Sequence, residues 1–207
     1  MADEKLAEVL IRCSIARSSG ALDAWRKSNP GKPLDLSEVN LPRMVLSHMN
    51  LVQANLRRAS LIGADLHGTD LCEANLFRAD LSETNLSRTI LTYADMTGVE
   101  LLGADLTDAD LTQTILVRAN LSRADLTRAR PHLADFTGAD LSGANLTGAN
   151  LSSAILVRAN LKGANLTGAN LSYADVSGAD LTDADLTDAD LTGVDIDAVL
   201  APERMGK

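Results

Sequence analysis

The chain has 207 residues, a net charge of −9, 45% hydrophobic residues and only 2% aromatic ones. Leu and Ala carry almost all of the apolar content, so an ordinary mixed core of Phe, Ile and Val is excluded and a repeat has to be sought first. The acidic balance is wrong for a nucleic-acid binder, whose affinity comes from neutralised phosphates, and no apolar run nears the roughly 20 residues of a membrane span.

The N-terminus "MADEKLAEVL" has no basic start leading into an apolar stretch. It is not read as a secretory signal, and a cytoplasmic protein is expected. Leu6, Val9, Leu10 and Cys13 share one face at helical spacing and predict a first helix. "SSGALDAWRKSNPGKP" predicts a short second helix carrying Leu22 and Trp25 and stopped before Pro30. Residues 1–33 are thus expected to form an N-terminal helical cap. The two cysteines, Cys13 and Cys72, lack metal-like spacing and read as free thiols.

From Leu34 the chain advances in steps of five without an insertion or deletion, giving 33 units that end at Ala198. The third position of each unit, its centre, is Leu in 28 of the 33, and the first position is Ala in 23. Two apolar residues separated by one polar residue is strand geometry, with both side chains on one face. The second position, usually Asp or Asn, then points outward. Positions four and five hold Ser or Thr and then Gly, Arg or Asp, which is corner chemistry. One such unit cannot bury its own apolar face, whereas stacked coils bury a continuous inner column. A helix of period 3.6 is excluded, because a strict five sweeps the leucines round every face.

"ADLTDADLTDADL" and "GANLTGANLSSAIL" resemble the pentapeptide-repeat family, whose motif is A-(D/N)-L-X-X. The resemblance implies an all-β solenoid: a right-handed quadrilateral β-helix with four pentapeptides per coil. The residues supply a separate argument for four sides. Unusual outward apolar residues recur at forty: Ile62 and Leu102; Phe77, Val117 and Val157; Tyr93, Leu133 and Tyr173; Ile115 and Ile155. Forty is two coils of twenty and not a whole number of fifteen-residue coils. About eight coils at ~4.8 Å each make a rod of roughly 40 Å.

Leu34, Val39, Met44 and Met49 stand where Ala is usual and are read as the seam with the N-terminal cap. Val194, Ile196, Val199 and Leu200 suggest a shorter cap at the other end, with residues 199–207 as its tail and residues 34–198 as the solenoid between. Pro131 occupies a centre and lacks the N–H for a ladder bond, which predicts a local bend. The neighbouring centre, Phe136, is expected to take up the volume that Leu gave up.

Nothing in the chain reads as catalytic. There is no phosphate-binding glycine loop, no H-E-x-x-H and no paired C-x-x-C. With twenty residues per coil, His48 falls on Gly68 beside His67, yet nothing evident completes a metal shell. No metal, cofactor or enzymatic activity is expected. Four small residues and four leucines per coil fill the tube, so function has to be read from the outside.

Two outer features stand out. Ile115, Val117, Ile155 and Val157 share one side with Phe77, beside a row formed by Arg58, Arg78, Arg118 and Arg158. The adjacent side carries Ile90, Tyr93, Leu133 and Tyr173. Apolar residues with Arg are what protein interfaces concentrate. The first expectation is a scaffold that binds a protein partner through Phe77, Ile115, Val117, Ile155, Val157, Arg78, Arg118, Arg158, Tyr93 and Tyr173, itself a monomer or weak dimer. The second comes from the resemblance. Some members of the family are acidic DNA mimics that bind type II topoisomerase, and the acidic tip with Asp183, Asp185, Asp188 and Asp190 is then the binding element. An unbroken acidic stripe along the rod separates the second reading from the first.

Overall fold

The computed structural model describes residues 4–195. The expected C-terminal cap, with Ile196, Val199, Leu200 and the tail, lies outside the described residues. Two helices come first, α1 (Glu4–Ala16) and α2 (Gly20–Ser28). From residue 34 onward the chain winds in coils. Second positions form parallel bridges with the residue twenty further on, as in Asp35 with Asn55, Asn55 with Asn75 and Asp95 with Ile115. Bridges every five residues to a partner twenty away make four sides per coil. Each side is a single-residue bridge rather than an extended strand.

The unit Ala119–Arg123 shows why these residues fold this way. Its first N–H closes the turn on Leu116 O at 3.0 Å. Its second donates to Val99 O of the preceding coil at 2.9 Å, and its third to Asp140 O of the following coil at 2.7 Å. The fifth, Arg123 N–H, also reaches the following coil, at Ser142 O, 3.0 Å. The fourth, Ser122 N–H, has no backbone acceptor here and donates to the side-chain Oδ1 of Asn120 at 3.1 Å. All five donors are therefore satisfied, but only because the second residue is Asn or Asp. The same bond recurs from Asp35 to Asp190. The D/N of the motif is thus an Asx turn that completes the backbone accounting.

The fifth position has positive φ in unit after unit, whether Gly (Gly138, 65°), Arg (Arg118, 56°), Leu (Leu133, 58°) or Tyr (Tyr173, 59°). This is the third residue of a type II turn. Gly accepts it freely, while other residues enter αL at a cost of roughly 1–2 kcal/mol. Large side chains at this corner often lie over a Gly one coil later. The Cγ atoms of Arg78, Arg118 and Arg158 sit 3.5, 3.8 and 3.5 Å from where a Cβ on Gly98, Gly138 and Gly178 would be. His48 lies over Gly68 in the same way, closer still, and meets His67 edge to face with ring centroids 5.2 Å apart.

First and third positions fill the tube. The centres from Leu36 to Leu171 are buried, and so are the alanines between them. Thr replaces Ala at Thr69, Thr84 and Thr114 without leaving an orphan hydroxyl. Each donates to a centre carbonyl 23 residues back, at 2.8, 2.9 and 2.8 Å. Three of the non-Leu centres, Met96, Phe136 and Val176, share one inner column at alternate coils. That column runs directly behind the side that carries Ile115 and Ile155. Phe136 is not in the column of Pro131, so it does not stack into the space beneath that proline. Pro131 costs one rung: Arg130 and Asn150 do not bridge, although Asp110–Arg130 and Asn150–Asn170 do. The twenty-residue phase holds on both sides of it.

At the first coil, α1 and α2 join the interior. Leu6, Leu10, Cys13 and Leu22 are buried in one cluster with Leu34, Val39 and Met49, and Trp25 packs against it. Val45 N–H has no preceding coil to bond and donates instead to Ser14 Oγ at 2.9 Å. The Arg26 guanidinium donates to Asn50 O at 2.8 Å. The helices thus satisfy polar groups on an edge that a bare solenoid end leaves unpaired.

Candidate functional site

The side that carries Ile115 is built from residues 114–118 and their equivalents every twenty. Ile115 and Ile155 bridge Asp95, Asp135 and Asp175 in one ladder, so the two isoleucines stand in a column of aspartates two coils apart. They are 43% and 40% exposed, whereas Leu116 and Leu156 between the same neighbours are fully buried. These isoleucines offer no Oδ1 to Val117 and Val157, so the side gives up two Asx turns to present apolar surface. Val117 and Val157 are half-buried, and Arg118 and Arg158 are exposed at the following corner.

The corner before this side adds what column-by-column reading of the sequence did not join up. Tyr93, Leu133 and Tyr173 occupy it at alternate coils, 57%, 46% and 69% exposed. They are offset by one coil from Ile115 and Ile155. The order up the rod is therefore Tyr93, Ile115, Leu133, Ile155, Tyr173, one apolar side chain per coil over five coils. Ile90, also exposed, lies one coil before Ile115's level on the neighbouring side.

Phe77 is placed on the same side but is not bare. The Arg57 guanidinium lies 4.8 Å from its ring centroid and that of Arg78 5.2 Å. Sequence reading missed Arg57 because it sits at a fourth position and outside the arginine row; the cue was its spacing of twenty from Phe77. Arg58 pairs loosely with Glu38 at 3.6 Å. The ion pairs among the described residues otherwise join Arg128 to Asp108 and Arg130 to Asp110, on other sides of the rod. In Asp108 the hydrogen bond from Arg128 holds the carboxyl below its usual range. Arg78, Arg118 and Arg158 have no acid within ion-pair distance among the described residues.

The acidic tip becomes a ring only with Asp180 and Asp195, which hold the second positions of the two remaining sides. Asp183, Asp185, Asp188 and Asp190 fall at successive corners and sides of the last described coil. The carboxyls of Asp185 and Asp190 are engaged by Thr187 and Thr192, whose hydroxyls and then backbone N–H groups hold them below the ordinary carboxylate range. Asp175 and Asp180 are held in the same way by Ser177 and Thr182. Along the rod, no second-position column has more than two acids in succession among the described residues. Asp80 and Glu100 are followed by Asn120, and Asp105 and Asp125 by Asn145. No group of three metal-ligating side chains forms among the described residues, and no helix there is long and apolar enough to cross a membrane.

Comparison with known proteins places the chain. A family model for pentapeptide repeats matches in 8 copies, in overlapping segments from residues 35–76 to 159–197. Among solved structures, HetL is similar, a pentapeptide repeat protein involved in heterocyst differentiation regulation in the cyanobacterium Nostoc sp. strain PCC 7120. It is 32% identical over 83% of this chain and 94% of its own, with a TM-score of 0.38. A pentapeptide repeat protein of the Arabidopsis thaliana thylakoid lumen is 40% identical over 45% of this chain and 69% of its own, with a TM-score of 0.38. QnrB1, a plasmid-mediated fluoroquinolone resistance protein, is 21% identical over 83% of this chain and 98% of its own, with a TM-score of 0.35. A search of the curated proteins finds no match. With the five-residue phase, the bridges at twenty and a family match that spans the solenoid, the chain belongs to the pentapeptide-repeat family.

Proposed function

We propose that this chain is a non-enzymatic, cytoplasmic scaffold that binds a protein partner along the Ile115 side and its Tyr93 corner, with residues 1–33 capping the solenoid. The single observation behind this reading is the alternation on that side. Between Asp95 and Asp175 two alternate coils carry Ile, Val and Arg where their neighbours carry Asp, Thr or Ser, and Gly, against the hydrogen-bond needs of the fold. An exposed Ile contributes little to the tube, so the fold does not account for it. A rigid ladder of apolar anchors loses little entropy on docking. Arg78, Arg118 and Arg158 beside it, with no acid within ion-pair distance among the described residues, complement an acidic rim on the partner.

The topoisomerase-binding reading rests on an acidic surface that follows the rod. The interrupted acid columns do not provide one, and only the ring at the tip remains in its favour.

The test restores the motif with Ile115→Asn, Val117→Ser, Ile155→Asn and Val157→Ser together. The variant should keep its circular dichroism and lose capture of the partner from an extract of the native host. Full retention of capture would remove the Ile115 side from the function. Inhibition of gyrase supercoiling by the pure protein, abolished by Asp183→Asn, Asp185→Asn, Asp188→Asn and Asp190→Asn, would establish the mimic reading instead.

A further inference from the structure

On the side of the rod opposite Ile115, the first two coils bring two imidazoles together. His48 occupies a corner and His67 the fourth position one coil above, with ring centroids 5.2 Å apart. The corner admits His48 in this pose because its neighbour above is glycine. A Cβ on Gly68 would lie 2.7 Å from His48 Nδ1 and 2.9 Å from Cε1, so that edge of the ring rests on the Gly68 backbone. Nε2 stands farther out, and among the described residues no hydrogen bond engages the His48 ring.

The protons around His67 can be placed one by one. Asn85 Nδ2 donates to Asp65 Oδ1 at 3.1 Å, so the amide oxygen of Asn85 faces Ser87. The Ser87 hydroxyl donates to that oxygen at 2.6 Å. A hydroxyl has one proton, so toward His67 the Ser87 Oγ offers only a lone pair. His67 Nδ1, 2.8 Å away, therefore carries the proton and donates it. The neutral ring then holds its free lone pair at Nε2. A hydrogen bond from the other ring nitrogen to a polar group is what orients a ligating imidazole and raises its basicity. The chain Asp65–Asn85–Ser87 supplies that bond.

We propose that His48 and His67 bind a divalent transition-metal ion of the zinc class through their Nε2 atoms, with water in the remaining positions. The separation fits. With metal–nitrogen bonds of ~2.1 Å and ring centroids about 1.1 Å behind the nitrogens, two imidazoles at a tetrahedral angle have centroids roughly 5.2 Å apart. The 88° between the ring planes is no obstacle, because the exposed His48 ring turns about its Cβ–Cγ bond with its centroid in place. Imidazole nitrogen suits zinc, copper and nickel, whereas magnesium and calcium take oxygen. No third His, Cys, Asp or Glu joins the pair among the described residues, so the site is an open one. Asp65 places a carboxylate on the same side, and Arg88, one coil above Gly68, lies in the field of Asp108. Both rings stand outside the tube, so the fold does not depend on the ion.

Isothermal titration of the full chain tests this. Zinc chloride should fill one saturable site that magnesium chloride does not. His48→Gln and His67→Ser should each weaken it at least about tenfold. Both variants should fold, since Gln53 and Gln113 already hold such corners at positive φ and Ser87 holds the fourth position one coil above His67. Ser87→Ala keeps both imidazoles, removes the acceptor of the Nδ1 proton, and should weaken binding by about 10–100-fold. His132→Ser should leave binding unchanged: His132 also meets a serine one coil above, Ser152, but has no second imidazole beside it. No zinc binding up to about 1 mM overturns the site. Binding that survives the loss of both His48 and His67 also overturns it and places the ion on the carboxylates. Full affinity in Ser87→Ala overturns the hydrogen-bonded chain as the device that orients His67.

Discussion

Ile115 and Leu116 are sequence neighbours for which opposite outcomes are expected. Leu116 is fully buried in the tube. Leu116→Ala removes its transfer free energy and leaves a hole that stacked coils cannot close, a cost of about 2–5 kcal/mol. Ile115 is 43% exposed, so little more than half of its burial is at stake, about 1–1.5 kcal/mol. Ile115→Asn returns an Oδ1 to the Val117 N–H, as Asn120 does for Ser122, and one such bond contributes about 0.5–1.5 kcal/mol. The two effects nearly cancel, and the net change should stay within about 1 kcal/mol. Urea unfolding followed by far-ultraviolet circular dichroism reads both variants, compared by midpoint at matched slope. An Ile115→Asn midpoint as depressed as that of Leu116→Ala would refute the assignment of Ile115 to the outside and, with it, the claim that the fold does not need it.

Other expectations follow from single contacts. Asp175, Asp180, Asp185 and Asp190 have folded-state pKa values lowered from 3.8, mainly by the hydroxyl groups of Ser177 and the threonines. Their stabilisation is present above the unfolded value and is lost as pH falls below about 4 through the folded values. Changing all four to Asn keeps the acceptor and should flatten that part of the melting profile; an unchanged acid transition would show that these turns do not contribute. Pro131→Leu supplies the missing N–H to Asn150 O and should raise the melting temperature by the worth of one ladder bond, about 1 kcal/mol, whereas a lower melting temperature would mean the coil has adapted to proline. Gly68→Ala places a Cβ 2.7 Å from His48 Nδ1, while Gly103→Ala meets nothing within 4 Å. Both pay the αL cost of roughly 1–2 kcal/mol, and Gly68→Ala should cost more; equal midpoints would show that His48 swings away freely.

Much of this was legible in the residues. The unbroken five-residue phase marks the inner positions, because a Leu every five residues with Ala two before it has one consistent burial. The recurrence of Ile115 and Val117 at Ile155 and Val157 points to four sides. The role of the second position was less visible. In the sequence alone Asp and Asn are simply outward polar residues, but their Oδ1 accepts the one N–H that the ladder leaves over, a relation that needs the backbone path to appear. Positive φ at Arg118, Leu133 and Tyr173 was hidden for a similar reason: Gly favours that conformation, yet the turn imposes it on any residue placed there. The cover of Arg57 over Phe77 and the continuity from Tyr93 to Tyr173 depend on which columns adjoin, and a list of columns does not show that.

The most direct test of a one-sided function compares four positions of a single coil. Ile115, Asn120, Asp125 and Arg130 are the second positions of its four sides. A photo-crosslinking amino acid placed at each in turn, in the native host, samples each side at one height on the rod. Adducts should form strongly from position 115 and stay at background from positions 120 and 125. Equal labelling from all four, or labelling that peaks at position 125, would contradict an interaction surface on the Ile115 side.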